Sequence, residues 1–203
     1  PMTKFVIDNI IVMNSIIGFD KNDPYSYEKQ PINLDLVKSS DLSNYRLGYY
    51  SNYYQNDSLY RTNIDLLELN GATVIEINPK NFSPPNFRKL LDEDMRRDLV
   101  KYFNDYGNEN LVVNDIKSII NYNSLDTINR APYGQEIFKS IIKDTMSEYD
   151  YELMKEKLFF NGNKFFDLDY NKYDLDAVIS INNYHASYAA VAHNPCLTVP
   201  MGF

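Results

Sequence analysis

The stretch from Arg46 to Ile77 constrains the fold most, because it combines two strand patterns and a helix pattern in about 30 residues. Arg46-Leu47-Gly48-Tyr49-Tyr50 predicts a short buried strand. A helix over about residues 57–69 ends at Asn70-Gly71, and residues 72–77 predict a second strand. Strand, helix and strand in this order predict a βαβ unit, in which the two strands are parallel and the crossover is right-handed.

The rest of the chain adds helices and two more strand patterns around this unit. Helical periodicity predicts helices near residues 3–18, 86–106, 114–121, 132–144, 147–172 and 186–192. A turn at Ser83-Pro84-Pro85 precedes the second of these, and Asn161-Gly162-Asn163 could interrupt the fifth. Apolar segments 175–181 and 196–199 predict a third and a fourth strand. We therefore predict an α/β fold, with a mixed sheet of about four short strands flanked by helices.

Composition excludes several classes of protein. With 44% hydrophobic and 24% charged residues in 203, the chain can form a packed core, and we expect one domain over residues 1–203. No apolar run approaches the roughly 18 residues of a membrane span, and no secretory leader pattern is visible, so we expect a cytoplasmic protein that does not bind membranes. The net charge of −8 argues against a nucleic-acid surface.

Metal and cofactor sites are not indicated by the sequence. His185 and His193 do not form a metal-binding spacing such as HExxH, and no phosphate-binding glycine motif occurs among the seven glycines. The lone Cys196 lies three residues after His193, which makes the two a candidate nucleophile and base. However, Cys196 opens an apolar segment, where a cysteine usually acts as a small hydrophobic residue. We predict no metal and no cofactor.

A polar cluster follows the third predicted strand directly. Residues 175–181 are mostly apolar, and the next residues are Asn182, Asn183, Tyr184 and His185. In open α/β sheets, ligands bind at the carboxyl ends of the strands, where polar side chains leave a rigid scaffold. A loop that is merely hydrated is equally consistent with this pattern, so the residues alone leave both interpretations open.

Five motifs, in order along the chain, resemble the amidase signature family. The opening Pro1-Met2-Thr3-Lys4 is similar to the family's "GPMTR" and Arg46-Leu47-Gly48 to its "LRIGV". Gly71-Ala72-Thr73-Val74 is similar to "LGATVVEV", and residues 131–135 are similar to "IPYGQ". Residues 175–203, which end in Thr198-Val199-Pro200-Met201-Gly202-Phe203, resemble the pattern "LDAIV…AGYPALTVPMGY", although His193-Asn194 and Cys196 depart from it.

The resemblance implies a serine hydrolase that cleaves carbon–nitrogen amide bonds. In the family, a lysine acts as the base through a serine in a cis peptide bond, and a second serine is the nucleophile. These groups lie before the "GPMTR" motif, and nothing precedes Pro1 in this sequence, so we assign no catalytic residue. We expect the chain to be the C-terminal portion of an amidase-like domain, truncated at both ends.

The resemblance also implies a substrate-binding wall. Its candidate residues are Tyr133, Gln135, Asn182, Asn183 and Tyr184. The asparagines can both donate and accept hydrogen bonds with a substrate amide, whereas a tyrosine offers an apolar ring with a polar tip. His185 could line the entrance. For each of these residues, a hydrogen bond that only fixes its own loop is equally consistent.

Two functional interpretations follow. In the first, the chain is the scaffold and substrate-cleft half of an amidase acting on a small amide, and it is inactive alone because the triad is missing. In the second, it is a non-catalytic truncated remnant. Its incomplete sheet then leaves unpaired strand edges, and we expect the isolated chain to self-associate.

Overall fold

The computed structural model describes residues 1–38, 41–78, 86–143 and 145–202. The predicted turn at Ser83-Pro84-Pro85 and the last motif residue, Phe203, lie outside these ranges. The described residues divide into two compact units. The first lies within Pro1–Pro79, Asp169–Asn182 and Leu197–Phe203, and the second lies within Lys80–Leu168 and Asn183–Cys196.

Helices dominate the described residues. The α-helices are α1 (Val6–Ile16), α2 (Ser51–Asn56), α3 (Ser58–Leu69), α4 (Phe87–Tyr106), α5 (Ile116–Ser124), α6 (Thr127–Arg130), α7 (Glu136–Ile141), α8 (Glu148–Tyr173) and α9 (Ala186–Val191). A 3₁₀ helix covers Leu34–Lys38. Among the described helices, none is both long enough and apolar enough to cross a bilayer.

The first unit contains a sheet of three parallel strands. These are β1 (Arg46–Tyr50), β2 (Thr73–Ile77) and β3 (Ala177–Ile179), in the order β2-β1-β3. Leu47 pairs with Val74 on one side and with Ala177 on the other. The α/β class and the parallel pairing in the βαβ unit are confirmed. The predicted mixed sheet of about four strands is wrong, because the described sheet has three strands and all its pairs are parallel.

The predicted fourth strand, residues 196–199, forms no ladder in the described part of the chain. Leu197 is 69% exposed and Val199 is 49% exposed. The following segment is held by a side chain instead, since the amide of Asn63 in α3 donates to the Met201 carbonyl at 2.9 Å. A strand exists only where a neighbouring backbone pairs with it, so an apolar pattern alone did not suffice.

Helix α3 lies between β1 and β2 in the βαβ unit. The sequence specifies both its first turn and the side that it buries. The Asp57 carboxylate accepts a hydrogen bond from the Tyr60 backbone N–H at 2.8 Å and so caps the helix. Tyr60 and Ile64, one helical turn apart, are both buried. The chain then turns at Gly71, whose φ of 100° lies in the left-handed region that favours glycine. This turn leads directly into β2.

In the second unit, α8 runs without a break through the predicted interruption at Asn161-Gly162-Asn163. Gly162 is buried, and a Cβ there would lie 2.7 Å from Val191 Cγ2 and 2.9 Å from the backbone nitrogen of Ala192. The glycine therefore allows the end of α9 to approach α8 closely, and it does not terminate the helix. Nearby, Met154, Leu158 and Val191 form a buried apolar cluster.

The buried carboxylate of Glu93 on α4 lies close to three cationic side chains of the same helix. Glu93 is 1% exposed, and it lies near Lys89, Arg96 and Arg97. Burial alone would raise the pKa of Glu93, but the hydrogen bonds and charges of these cations outweigh burial, and the pKa lies below its ordinary 4.5. Arg97 also pairs with Glu148, the first residue of α8. The cluster therefore links two helices of this unit.

The lowered pKa of Glu93 predicts a stability contribution that depends on pH. The unfolded carboxyl takes up its proton first, so the contribution is complete above the ordinary pKa and is lost as the pH falls through the lowered one. We expect Glu93→Gln to lower the free energy of unfolding by about 1–3 kcal/mol near pH 7 and by clearly less near about pH 3. Urea unfolding at both pH values measures this difference, with the exposed Glu109→Gln as the matched control. An equal effect of Glu93→Gln at both pH values would contradict the prediction.

Candidate functional site

The carboxyl ends of all three strands lie along one edge of the sheet, because the strands are parallel. The residues that directly follow β1, β2 and β3 are Ser51, Asn78 and Ser180. In open α/β sheets, this edge is where ligands bind. The sheet of the first unit therefore presents three polar side chains at the position where a site is expected.

Tyr60 fixes this edge through its buried hydroxyl. Its oxygen accepts a hydrogen bond from the Tyr50 backbone N–H at 3.0 Å, and its O–H donates to the Ile179 carbonyl at 2.8 Å. Burial raises the pKa of Tyr60 to about 12, although the hydrogen bond from Tyr50 opposes this shift. The hydroxyl therefore stays protonated near neutral pH and joins the ends of β1 and β3.

Ser51 and Asn78 form a polar pair at the ends of β1 and β2. The residue Ser51 is 8% exposed. Its hydroxyl donates to the side-chain oxygen of Asn78 at 2.8 Å. An amide oxygen is too weak a base to take a proton from serine near neutral pH, so this pair does not activate Ser51 as a nucleophile. The pair can instead hydrogen-bond a polar ligand.

Three of the predicted site residues lie together in the turn after β3. Asn182 has a φ of 51°, a left-handed value that asparagine tolerates, and the Asn183 carbonyl accepts a hydrogen bond from the Ala186 N–H at 3.1 Å. The side chains of Asn182 and Asn183 are exposed, and Tyr184 is about half exposed. The turn therefore presents two amides to solvent just beyond a strand end.

Tyr133 and Gln135 lie in a different loop, the one between α6 and α7. Tyr133 is fully exposed. The amide nitrogen of Gln135 donates to the Ile120 carbonyl at 3.2 Å and to the Ser124 hydroxyl at 3.1 Å, and its oxygen accepts from Asn123 at 3.2 Å. These bonds tie the start of α7 to α5, so a substrate at Gln135 would compete with them.

The histidines pack against aromatic rings of the second unit. His185 lies 5.5 Å from the Phe165 ring, and burial lowers the pKa of its imidazole, which is therefore neutral near neutral pH. His193 lies 5.0 Å from the Phe159 ring. Cys196 is an exposed thiol, since the strand predicted to bury it does not form. Within the described ranges, no three residues of the His, Cys, Asp and Glu types come together as a metal site would require.

Ser51, Asn78 and Tyr60 were missed as site residues by the sequence analysis. A usable signal existed for the first two, because the predicted ends of β1 and β2 place residues 51 and 78 at the carboxyl edge. No local pattern indicates that the Tyr60 hydroxyl reaches two strand ends, since its partners lie 10 and 119 residues away. Only the assembled sheet brings these groups together.

Comparison with known proteins places this arrangement in a structural context. No protein-family model and no curated protein sequence matches the chain. Among solved structures, an amidase family protein from Bacillus anthracis str. Ames aligns over 94% of this chain with a TM-score of 0.81 and 26% identity. The native peptide amidase from Stenotrophomonas maltophilia aligns over 100% of the chain with a TM-score of 0.80 and 22% identity. The chain has an amidase-like fold.

The amidase-like fold also accounts for the positions of the sequence motifs. Arg46-Leu47-Gly48 opens β1, Gly71-Ala72-Thr73-Val74 leads into β2, and Leu175 and Asp176 directly precede β3. Three of the five motifs therefore build one parallel sheet. The chain spans 39% of the length of the Bacillus anthracis protein and 46% of the length of the peptide amidase.

Proposed function

We propose that this chain is the scaffold and substrate-cleft half of an amidase, a serine hydrolase that cleaves the carbon–nitrogen bond of a small amide. The observation that carries the proposal is the fold shared with the amidase family protein over 94% of this chain, at a TM-score of 0.81 and 26% identity. The motifs that resemble the amidase signature family support it independently, because they occur in the family's order.

In this proposal, the catalytic lysine and serines belong to a segment other than these 203 residues, since none of the residues matches the family's lysine or its "GGSSGG" motif. The carboxyl edge of the sheet then holds the substrate. Hydrogen-bonding groups of Asn182 and of the Ser51–Asn78 pair can bind an amide, while the Tyr60 hydroxyl keeps the strand ends in place. Asn183, Tyr184, Tyr133 and Gln135 remain proposed substrate-binding residues, as the resemblance implies.

Activity measurements test the proposal that the catalytic residues belong to a segment other than these 203 residues. We expect the 203-residue chain to release no ammonia from simple amides and to resist covalent labelling by a fluorophosphonate, which reacts with activated serines. We expect the protein purified from its native source to be labelled and to hydrolyse amides. If that protein shows neither property, the amidase proposal is wrong. Sustained hydrolysis by the 203-residue chain, lost on mutation of a serine such as Ser51, would contradict the proposed location of the triad.

A second prediction concerns the two exposed amides after β3. In the active protein, we expect Asn182→Ala and Asn183→Ala each to raise KM by about tenfold, because each removes a hydrogen bond to the substrate amide worth about 1–1.5 kcal/mol. Steady-state kinetics measure this, with Asn171→Ala in α8 as the control, because Asn171 is also exposed. Unchanged KM values in both variants would remove the asparagines from the proposed wall.

The alternative function, self-association without catalysis, is favoured by the sheet itself. Among the described residues, β2 and β3 are the outer strands of the sheet, and each has a backbone edge turned away from β1. We expect size-exclusion chromatography with light scattering to find dimers or larger species of the 203-residue chain at micromolar concentration. Ile16→Lys, which alters the exposed apolar side of α1, should leave this association unchanged. A monomer, or association abolished by Ile16→Lys, would contradict pairing through the sheet edges.

A further inference from the structure

Helices α4 and α7 of the second unit enclose an open groove of about 570 Å³. Its apolar lining consists of Leu91, Met95, Leu99, Tyr102, Ile137 and Ile141. Leu91 is 47% exposed and Tyr102 is 59% exposed, so the structure leaves much of this lining in contact with water. Exposed apolar patches of this kind are typical of interaction sites.

The apolar residues of α4 follow helical spacing. Leu91, Met95, Leu99 and Tyr102 succeed one another by four, four and three residues, so they form one stripe along the helix. The stripe covers about 16 Å, or roughly three helical turns. Two side chains of α7, Ile137 and Ile141, also line the groove. This length suits the apolar face of another helix of similar extent.

The groove also carries a net negative charge, which indicates a positively charged partner. Its lining in the described part of the chain contains three carboxylates, those of Asp92, Asp94 and Asp98, and one guanidinium, that of Arg88. Arg88 Nε lies 2.9 Å from the Asp92 carboxylate and so neutralises much of that charge. Asp94 accepts a hydrogen bond from the Tyr151 hydroxyl, which is a neutral partner. Asp98 is exposed, and none of the ion pairs described for this chain includes it.

We propose that the groove between α4 and α7 docks an amphipathic, positively charged helix of a partner protein. The partner's apolar face lies on the α4 stripe, and its lysines or arginines pair with Asp98 and Asp94. Charge complementarity selects this occupant, because the groove and the whole chain, at net −8, repel acidic segments and attract basic ones. The proposal does not rest on amidase activity, and its test involves no amide hydrolysis.

Fluorescence anisotropy with the full 203-residue chain tests the proposal. The probe is a labelled peptide of about 14 residues, roughly four helical turns, in which leucines form one face and lysines the other. A peptide of the same composition, with its leucines spread around the helix, is the peptide control. We expect saturable binding of the amphipathic peptide, at least about tenfold weaker binding of the control peptide, and weaker binding at higher salt.

Two groove variants and one matched control locate the binding. We expect Met95→Glu and Asp98→Lys each to weaken binding at least about tenfold, because the first places a charge in the apolar stripe and the second reverses the charge beside it. Asp167→Lys makes the same charge change on the exposed surface of α8, and we expect it to weaken binding less than about threefold. Circular dichroism and thermal unfolding verify that the variants fold, and Leu91→Glu replaces Met95→Glu if that variant does not.

Several results would overturn the proposal. If Asp98→Lys and Asp167→Lys weaken binding equally, the attraction comes from the net charge of the chain and not from the groove. Equal binding of both peptides would show that the apolar stripe plays no part. If the chain is dimeric and Met95→Glu makes it monomeric while peptide binding is absent, the groove is an interface between two copies of this chain.

Discussion

Replacing Tyr60 with phenylalanine is expected to lower the free energy of unfolding by about 2–4 kcal/mol, because a buried N–H and a partly buried carbonyl lose their hydrogen-bond partner. The Tyr60 hydroxyl accepts from the Tyr50 N–H and donates to the Ile179 carbonyl, and the residue is 0% exposed. Phenylalanine keeps the ring but supplies neither bond. The expected cost exceeds that of one ordinary hydrogen bond, since two bonds are lost and the Tyr50 N–H is left buried without this partner.

Urea unfolding of Tyr60→Phe measures this effect, and Tyr54→Phe is the matched control. The Tyr54 hydroxyl donates to the Asp65 carboxylate at 2.8 Å in an exposed setting, so its removal should cost less than about 1 kcal/mol. A loss at Tyr60 no greater than that at Tyr54 would contradict the bridging role. Because Tyr60 fixes the ends of β1 and β3, we also expect its replacement to loosen the carboxyl edge that the proposed function uses.

Replacing Gly162 with alanine is expected to destabilise the chain by about 1–3 kcal/mol, the usual cost of overpacking a buried contact. Helix propensity acts in the opposite direction, since alanine in a helix interior is favoured over glycine by about 1 kcal/mol. The steric clash makes the net effect on stability unfavourable, because a Cβ would lie 2.9 Å from the Ala192 backbone nitrogen and 2.7 Å from Val191. Backbone atoms and a stiff valine cannot move aside as a flexible side chain can.

Thermal or urea unfolding of Gly162→Ala provides the measurement, and Asn163→Ala in the same helix is its control. Asn163 donates to the Phe159 carbonyl of its own helix, so we expect its replacement to change stability by no more than about 0.5–1 kcal/mol. If Gly162→Ala raises stability by about 1 kcal/mol, propensity alone governs this position, and the close approach of α8 and α9 is wrong.

The candidate site could be predicted only in part. The end of β3 was recognisable because an apolar segment stops at a row of polar residues, and Asn182, Asn183 and Tyr184 do lie in one turn there. Gln135 shows the limit of such reasoning. Its sequence context suggests a cleft residue, whereas the structure shows hydrogen bonds to α5, which lies 11 to 15 residues earlier in the chain. A sequence motif specifies residue types, but it does not specify the hydrogen-bond partners of those residues.

The sequence by itself determined the βαβ unit, the positions of most helices and the α/β class. These features depend on local periodicity, caps and turns, which short segments carry within themselves. The tertiary structure alone decided that residues 196–199 form no strand, since strand formation needs a paired neighbour. It alone decided that Gly162 serves a close contact and leaves α8 unbroken. It also brought the Tyr60 hydroxyl to two strand ends, because contacts between distant residues follow from packing and not from local sequence.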